Sequence, residues 1–144
     1  MKELFLLAQI DNTEVAICSD IVESVVTVGE VVTVPGCETV VAGLFALRSR
    51  VLTLIDCQYR VTGKRKSAER GGLAIIAGIG GHNFGLLVEK VFDVVRVDDG
   101  SIHPAVKLDA RWKSTVSRLI ELEGRVVMVL DPEALVAVDA ALAA

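Results

Sequence analysis

The sequence predicts a mainly β protein: two small, similar β units packed side by side, followed by a short C-terminal helix. Three observations carry that prediction. Valine and leucine dominate an apolar fraction of 52%, whereas aromatics make up only 4%. The β-branch of valine suits the half-buried pleat of a sheet. Short apolar runs alternate with polar turns along most of the chain, the pattern of strands joined by hairpins. The chain also matches itself. Slid by 69 positions, Leu4 falls on Leu73, Ala8 on Ala77, Ile10 on Ile79, Val22 on Val91, Val25 on Val94, Val26 on Val95, Val28 on Val97 and Pro35 on Pro104, without a gap. At an offset of 75, Leu47 falls on Leu122, Arg50 on Arg125, Val51 on Val126 and Asp56 on Asp131. Six residues are therefore inserted in the second copy, somewhere around Val106 to Ser117.

The physical reading is a tandem of two β units within one domain. They cover approximately residues 1–62 and 73–131, with about five short strands each. A sheet of that size tends to curl on itself, because closure removes edges that would pair with other chains. Two little barrels side by side leave a groove between them. An exchange of the N-terminal strand into the barrel of the C-terminal half is compatible with the repeat, because a repeat search is blind to it.

Each element has its own justification. Leu4 to Ile10 is apolar and β-like, Asp11-Asn12 is a turn signal, and Val15 to Ile17 starts a second strand. Ile21, Val22, Val25, Val26 and Val28 follow with mixed periodicity. They predict a kinked strand, or a helical turn over Asp20 to Ser24 and then a strand. Val31 to Pro35 is extended, and Pro35-Gly36 turns the chain. Glu38 to Val41 fits one helical turn. Val40 to Asp56 is the clearest hairpin: two apolar runs around Arg48-Ser49-Arg50, a pattern that returns from Leu119 to Asp131. Asp56 to Thr62 fits another single turn. Residues 63–72, GKRKSAERGG, lack apolar periodicity and predict an exposed linker. Asp131-Pro132-Glu133 is a helix start, with Asp as N-cap, Pro in the first position and an acid in the first turn. It opens a helix over residues 132–143.

Composition limits the function. The net charge of −4, with both signs interspersed, argues against a dedicated nucleic-acid binder, which shows a basic face. The N-terminus shows no leader, and no apolar run reaches the roughly 20 residues of a membrane span. A cytoplasmic protein without membrane insertion is expected. Cys18, Cys37 and Cys57 are odd in number with no close pair, which fits reduced thiols.

Catalytic signals are weak. Gly78 to Gly85, GIGGHNFG, superficially suggests a phosphate loop, but Leu86, Leu87 and Val88 continue as a strand where such a loop would open a helix. A hairpin turn is the favoured reading and a nucleotide-binding module the rival. His82 and His103 have no third ligand nearby, and the cysteines lack metal spacing, so neither metal nor cofactor is expected. Cys57 beside Asp56 has no histidine partner. Glu121 and Glu123 share a strand face as surface carboxylates. Ser24, Ser49 and Thr53 have nothing to activate them. Binding features remain. Arg48 and Arg50 at a hairpin tip suit an interface, where arginine is enriched. The stripes Val22, Val25, Val26, Val28 and Val88, Val91, Val94, Val95 are mostly core, yet too dense for small barrels to bury entirely. Some of these valines should surface in the groove as a patch for a partner helix.

The order of these motifs resembles the CheW-like chemotaxis coupling (adaptor) family over nearly the whole chain. The matching residues are V-x-x-V at Val22 to Val25, the extended segment ending at Pro35, G-x-x-x-L-R at Gly43-Leu44-Phe45-Ala46-Leu47-Arg48, and the apolar strand Val51 to Asp56. Gly85-Leu86-Leu87-Val88-Glu89 is similar to the family's G-x-x-V-D. The resemblance implies two five-stranded β-barrels around separate cores and no enzymatic activity. The implied partners are the cytoplasmic tips of methyl-accepting chemoreceptors and a CheA-type histidine kinase, with a free protein that is monomeric or weakly oligomeric. It further implies that Arg48, flanked by Leu47 and Ser49, is the interface arginine. Val22, Val25, Val88 and Val91, with Val94 beside them, help line the receptor groove on this reading. A paralogue serving a pilus or motility array fits the same motifs. The chain departs from the pattern in having Ala46-Leu47-Arg48-Ser49 where the family usually has N-L-R-G, and Ser24 where it has an acid, with Glu23 one position away. Loss of glycine at Ser49 removes the residue that reaches positive φ most easily, which predicts an altered turn.

Overall fold

The computed structural model describes residues 2–33, 40–63, 72–105, 108 and 110–137. The Pro35-Gly36 turn, Cys37, most of the turn expected from Glu38, nearly all of the 63–72 linker and residues 138–144 lie outside the described residues; the helix expected over 132–143 ends at Val136, where Ala137 turns extended. The first half runs β1 (Lys2–Ile10), β2 (Thr13–Cys18), a 3-10 turn (Ser19–Ile21), β3 (Val22–Thr27), β4 (Val31–Val32), β5 (Val41–Leu47), β6 (Arg50–Asp56) and α1 (Cys57–Thr62). The second runs β7 (Leu73–Ile79), β8 (His82–Val88), β9 (Lys90–Asp98), a 3-10 turn (Asp99–Ser101), β10 (Ile102–Pro104), α2 (Ala110–Lys113), β11 (Val116–Leu122), β12 (Arg125–Leu130) and α3 (Pro132–Val136). Six strands and a closing helix recur in the same order, and α2 falls where the extra residues of the second copy lie.

Local chemistry explains the boundaries. Asp11-Asn12, Gly80-Gly81 and Glu123-Gly124 each place two successive residues at positive φ, which matches the twist that a two-residue hairpin requires. Asp56 Oδ1 accepts from the Tyr59 amide at 2.9 Å and caps α1. Asp131 Oδ1 accepts from the Glu133 amide at 3.1 Å and caps α3, with Pro132 in its first turn. Arg60 of α1 donates to the carbonyls of Leu135 and Ala137, closing the far end of α3.

The strands form two six-stranded sheets, ordered β10-β11-β12-β2-β1-β9 and β4-β5-β6-β8-β7-β3. Each has one strand more than the five expected from the sequence, because the segments Val31–Val32 and Ile102–Pro104 pair briefly at an edge. The first hairpin of each half lies in the sheet that holds the other half's remaining strands. The joins are made on both sides of each hairpin, by the parallel pairs β12 with β2 and β6 with β8 and by the antiparallel pairs β1 with β9 and β3 with β7.

Both sheets curl. In the first, β1 and β11 are separated by two strands, about 14 Å in a flat sheet. Yet Arg118 of β11 meets Glu3 of β1 in a bidentate pair at 2.7 and 3.1 Å, with its guanidinium 5.4 Å from the Phe5 ring centroid. In the second, the Phe45 ring of β5 lies across Gly85 of β8. A Cβ on Gly85 would come within 2.6 Å of that ring, so glycine makes the room. Three apolar cores result. Phe5, Leu7, Ala16, Val97, Ile120, Val127 and Val129 fill one barrel. Val28, Ala42, Phe45, Leu52, Leu54, Ala74, Ile76 and Leu87 fill the other. The largest lies between the sheets: Leu6, Ala8, Val15 and Ile17 face Ile75, Ala77, Leu86 and Val88, with Cys57, Val61, Trp112 and Leu135 packed against them.

Gly85→Ala is expected to cost about 1–3 kcal/mol by overpacking, with part regained in the Gly85→Ala/Phe45→Leu double variant, as read from urea denaturation. The Glu3–Arg118 pair adds a pH dependence. The hydrogen bond from Arg118 holds the Glu3 carboxyl below its ordinary value of 4.5. The pair therefore stabilises the fold above that value, and the contribution is lost as pH falls through the lower folded value. Arg118→Gln is expected to lower stability by under about 1 kcal/mol at neutral pH. Urea midpoints of the two proteins converge in acid.

Candidate protein-docking site

The spacing V-x-x-V finds its reason in the backbone. Residues three apart on a regular strand point to opposite faces. Along β3 the register runs Val22 opposite Ala77 but Ser24 opposite Ile76, so Glu23 is one residue too many. Along β9 it runs Val91 opposite Ala8 and Val94 opposite Leu6, so Phe92 and Asp93 together face Leu7. These two bulges sit at equivalent places in the two halves. Each returns the second valine to the face of the first. Val22 and Val25 thus lie over Ala77 and Ile75, and Val91 and Val94 over Ala8 and Leu6, all on the face that builds the core between the sheets. The mixed periodicity around Val22 marks a 3-10 turn followed by a bulged strand.

β3 and β9 are also the corresponding edges of the two sheets. Val22 and Val91 are half-buried against the shared core. Beyond them Val25 is 40% exposed, Val94 53% and Leu4 42%. Here apolar surface emerges from the seam. Elsewhere the expected groove is filled: Val88 is 7% exposed and packs inside the shared core. This corrects its assignment to a groove wall, because strand exchange places β8 at the centre of its sheet. Val26 and Val95 point into the barrels instead.

The other predicted cluster is the hairpin tip. Leu47 pairs with Arg50, so the turn is Arg48-Ser49 alone and Arg50 belongs to β6. Positive φ falls on Arg48, at 57°, not on Ser49; this is the form in which only the first central residue is left-handed. Arg48 and Ser49 are exposed, Leu47 is half-buried against one barrel core, and Arg48 forms no ion pair among the described residues. Arg50 reaches the Glu23 carboxylate at 3.0 Å and ties the hairpin to the bulge of β3. Near the tip, Val32, Leu44, Ala46 and Val51 line a largely apolar depression that Glu30 borders, with Val51 68% exposed. That patch, Leu4 and the exposed Phe92 were not singled out from sequence. Their exposure depends on which strands lie at edges.

The remaining polar groups have structural explanations. Gly80-Gly81 is the turn of the β7–β8 hairpin, with no helix after it. Cys57 is fully buried, and burial, aided by the Asp56 charge, pushes its thiol up to about 12, well away from a reactive thiolate. Burial also raises Cys18. His103 pairs with Glu121 on the surface. Among the described residues, no cluster of three His, Cys, Asp or Glu could hold a metal, and no helix is long and apolar enough to cross a membrane.

A model of the CheW-like domain matches residues 4–140. The chain belongs to the CheW-like domain family. Among curated proteins, "Chemotaxis protein CheW" of Rhizobium meliloti (strain 1021) is 26% identical over 98 residues, which is 67% of this chain and 63% of that protein. The match therefore spans under two thirds of the relative's length. Among solved structures, the scaffolding protein TtCheW from Thermoanaerobacter tengcongensis shares the fold, with a TM-score of 0.81 at 19% identity over 91% of this chain and 90% of that one. Within this CheW-like domain the departures at Ala46 and Ser49 leave a two-residue hairpin intact. The left-handed conformation is instead carried by the arginine itself.

That conformation costs a non-glycine residue about 1–2 kcal/mol. Arg48→Gly is therefore expected to leave stability unchanged or raised by up to about 1 kcal/mol. Loss of stability in urea denaturation would mean that the Arg48 side chain supports the fold.

Proposed function

We propose that this CheW-like protein is a chemotaxis-type adaptor that couples methyl-accepting chemoreceptors to a CheA-type histidine kinase by binding alone. The observation that carries the reading is the pair of bulged edge strands, β3 and β9, which bring Val22, Val25, Val91 and Val94 to one apolar seam. Exposed aliphatic side chains beside a rigid core suit the apolar stripe of a helix, and the receptor tip is the helical partner. Bulges spoil further strand pairing along these edges, which favours grip by side chains over extension of a sheet.

The kinase takes a second face. Val32, Leu44, Ala46 and Val51 lie on the β4-β5-β6 side of the second sheet, next to the Arg48 turn, and Arg50 joins that hairpin to the β3 bulge through Glu23. An exposed arginine next to a compact apolar patch is the composition of an interface hot spot. The seam packs on the core between the sheets and the hairpin on one barrel core, and a single sheet carries both β3 and the hairpin, so occupation of one surface can bias the other through a linked free energy. The relatives described as a chemotaxis protein and a scaffolding protein support this reading, and on it the protein works in the cytoplasm at receptor arrays.

Calorimetry with a receptor cytoplasmic-tip fragment and with the kinase regulatory domain tests it. Val94→Glu is expected to weaken the receptor fragment at least about tenfold, while kinase affinity stays within about twofold. Val51→Glu and Arg48→Glu are expected to do the reverse. Buried interface contacts of this kind are worth about 2 kcal/mol or more on truncation. Wild-type protein that retains neither partner at micromolar concentration sinks the proposal.

A further inference from the structure

The chain passes from one sheet to the other twice, and the two crossings differ. Between β2 and β3 it uses the 3-10 turn Ser19–Ile21. Between β8 and β9 one residue, Glu89, makes the whole step from the centre of one sheet to the edge of the other. Its amide donates to the Gln9 carbonyl at 2.9 Å. Its side chain is engaged as well: Glu89 Oε1 accepts from the Asn12 amide at 2.7 Å and from Gln9 Nε2 at 3.2 Å. Asn12 is the second left-handed residue of the β1–β2 turn. One half-buried carboxylate oxygen therefore holds the foot of β9 against the turn that ends β1.

The β9 wall of the seam starts at this foot. Lys90 pairs with Gln9 and Val91 with Ala8, and then the bulge brings Val94 opposite Leu6. The wall is thus referenced to β1 from a fixed point. The β3 wall is tethered differently, at its bulge, by Glu23 and Arg50. A carboxylate that accepts a backbone N–H makes a charge-assisted bond, stronger than a neutral one. Aspartate is shorter by one carbon–carbon bond of about 1.5 Å, so from an unmoved backbone its carboxylate sits farther from the Asn12 amide than the 2.7 Å of Glu89.

We infer that Glu89 is a positioning residue of the docking seam: it fixes the β9 wall, and with it Val91 and Val94, without itself touching the partner. This rests on the reading that the seam takes a receptor helix. In this role Glu89 sets the geometry offered to the helix, and the kinase face on the β4-β5-β6 side is indifferent to it.

The experiment compares full-length Glu89→Ala, Glu89→Asp and Glu89→Gln with wild type. Calorimetry measures the receptor-tip fragment and the kinase regulatory domain. Amide exchange is followed at Asn12 and residues 90–96. Glu89→Ala and Glu89→Asp are expected to raise the receptor Kd about fivefold or more, the low end of ordinary coupling energies. They should also speed exchange at those amides while kinase affinity stays within about twofold. Glu89→Gln keeps an oxygen for the Asn12 amide and is expected to restore both readings. Receptor affinity unchanged in Glu89→Ala, both partners lost together, or no rescue by glutamine would overturn the inference. If wild type fails to bind the fragment, the adaptor reading falls, and exchange alone decides the positioning role. Faster exchange in Glu89→Ala with rescue by glutamine upholds it; unchanged exchange rejects it.

Discussion

Four strand pairings bind each half's leading hairpin into the other half's sheet: β6 with β8 and β12 with β2 in parallel, β1 with β9 and β3 with β7 antiparallel. They oblige the outer faces of β1, β2, β7 and β8 to meet. The apolar core between the sheets is the consequence, and it is larger than either barrel interior. Hydrophobic burial scales with the area removed from water, so the main stabilising contact lies between the two sheets. Two barrels with independent cores would have left an open trough along the whole seam. Among the described residues the shared core fills the space between the sheets, and apolar surface emerges from it along β3 and β9.

Those edges combine two properties. They expose valines beside a rigid interior, and they carry bulges that disturb the row of free backbone groups an edge would otherwise offer to other chains. The bulge also produces the valine spacing. Equivalent bulges recur in β5, at Val41/Gly43, and in β11, at Val116/Arg118. Four irregularities in two matched pairs are stronger evidence of duplication than identities among common valines.

The two copies have diverged where they face solvent and compensated where they face inward. The hairpin turn is Arg48-Ser49 in one and Glu123-Gly124 in the other; the exposed strand position beside it is Ala46 in one and Glu121 in the other. Inside, Gly85 faces the Phe45 ring, whereas the corresponding positions hold Ala16 and Ile120. Volume is traded across the barrel so that each interior stays filled. Two scaffolds of one design thereby present different surface chemistry.

Much of this was legible in the chain itself. Turn residues, helix caps and β-branched runs act over a few positions, so Asp11-Asn12, the Asp56 and Asp131 caps and the Val40–Asp56 hairpin could be placed from local rules. The 69-residue offset exposed the duplication. The V-x-x-V motif at Val22–Val25 and the stripe Val88, Val91, Val94, Val95 drew attention to these valines, but not to the bulges that set their facing. Other features needed the tertiary structure. Strand exchange leaves the hydrophobic pattern unchanged, because β1 and β7 are apolar whichever sheet they enter. Burial follows neighbours and not residue type, so Val88 and Val94 look alike in sequence and end at 7% and 53% exposure. A bulge changes facing by one residue without changing composition, and the Glu89–Asn12 contact joins positions 77 apart. The sequence by itself determined which segments become strands and that they come in two sets. The tertiary structure alone decided which strands lie at edges, because that depends on how distant segments pair, and the exposed edge is where a partner can bind.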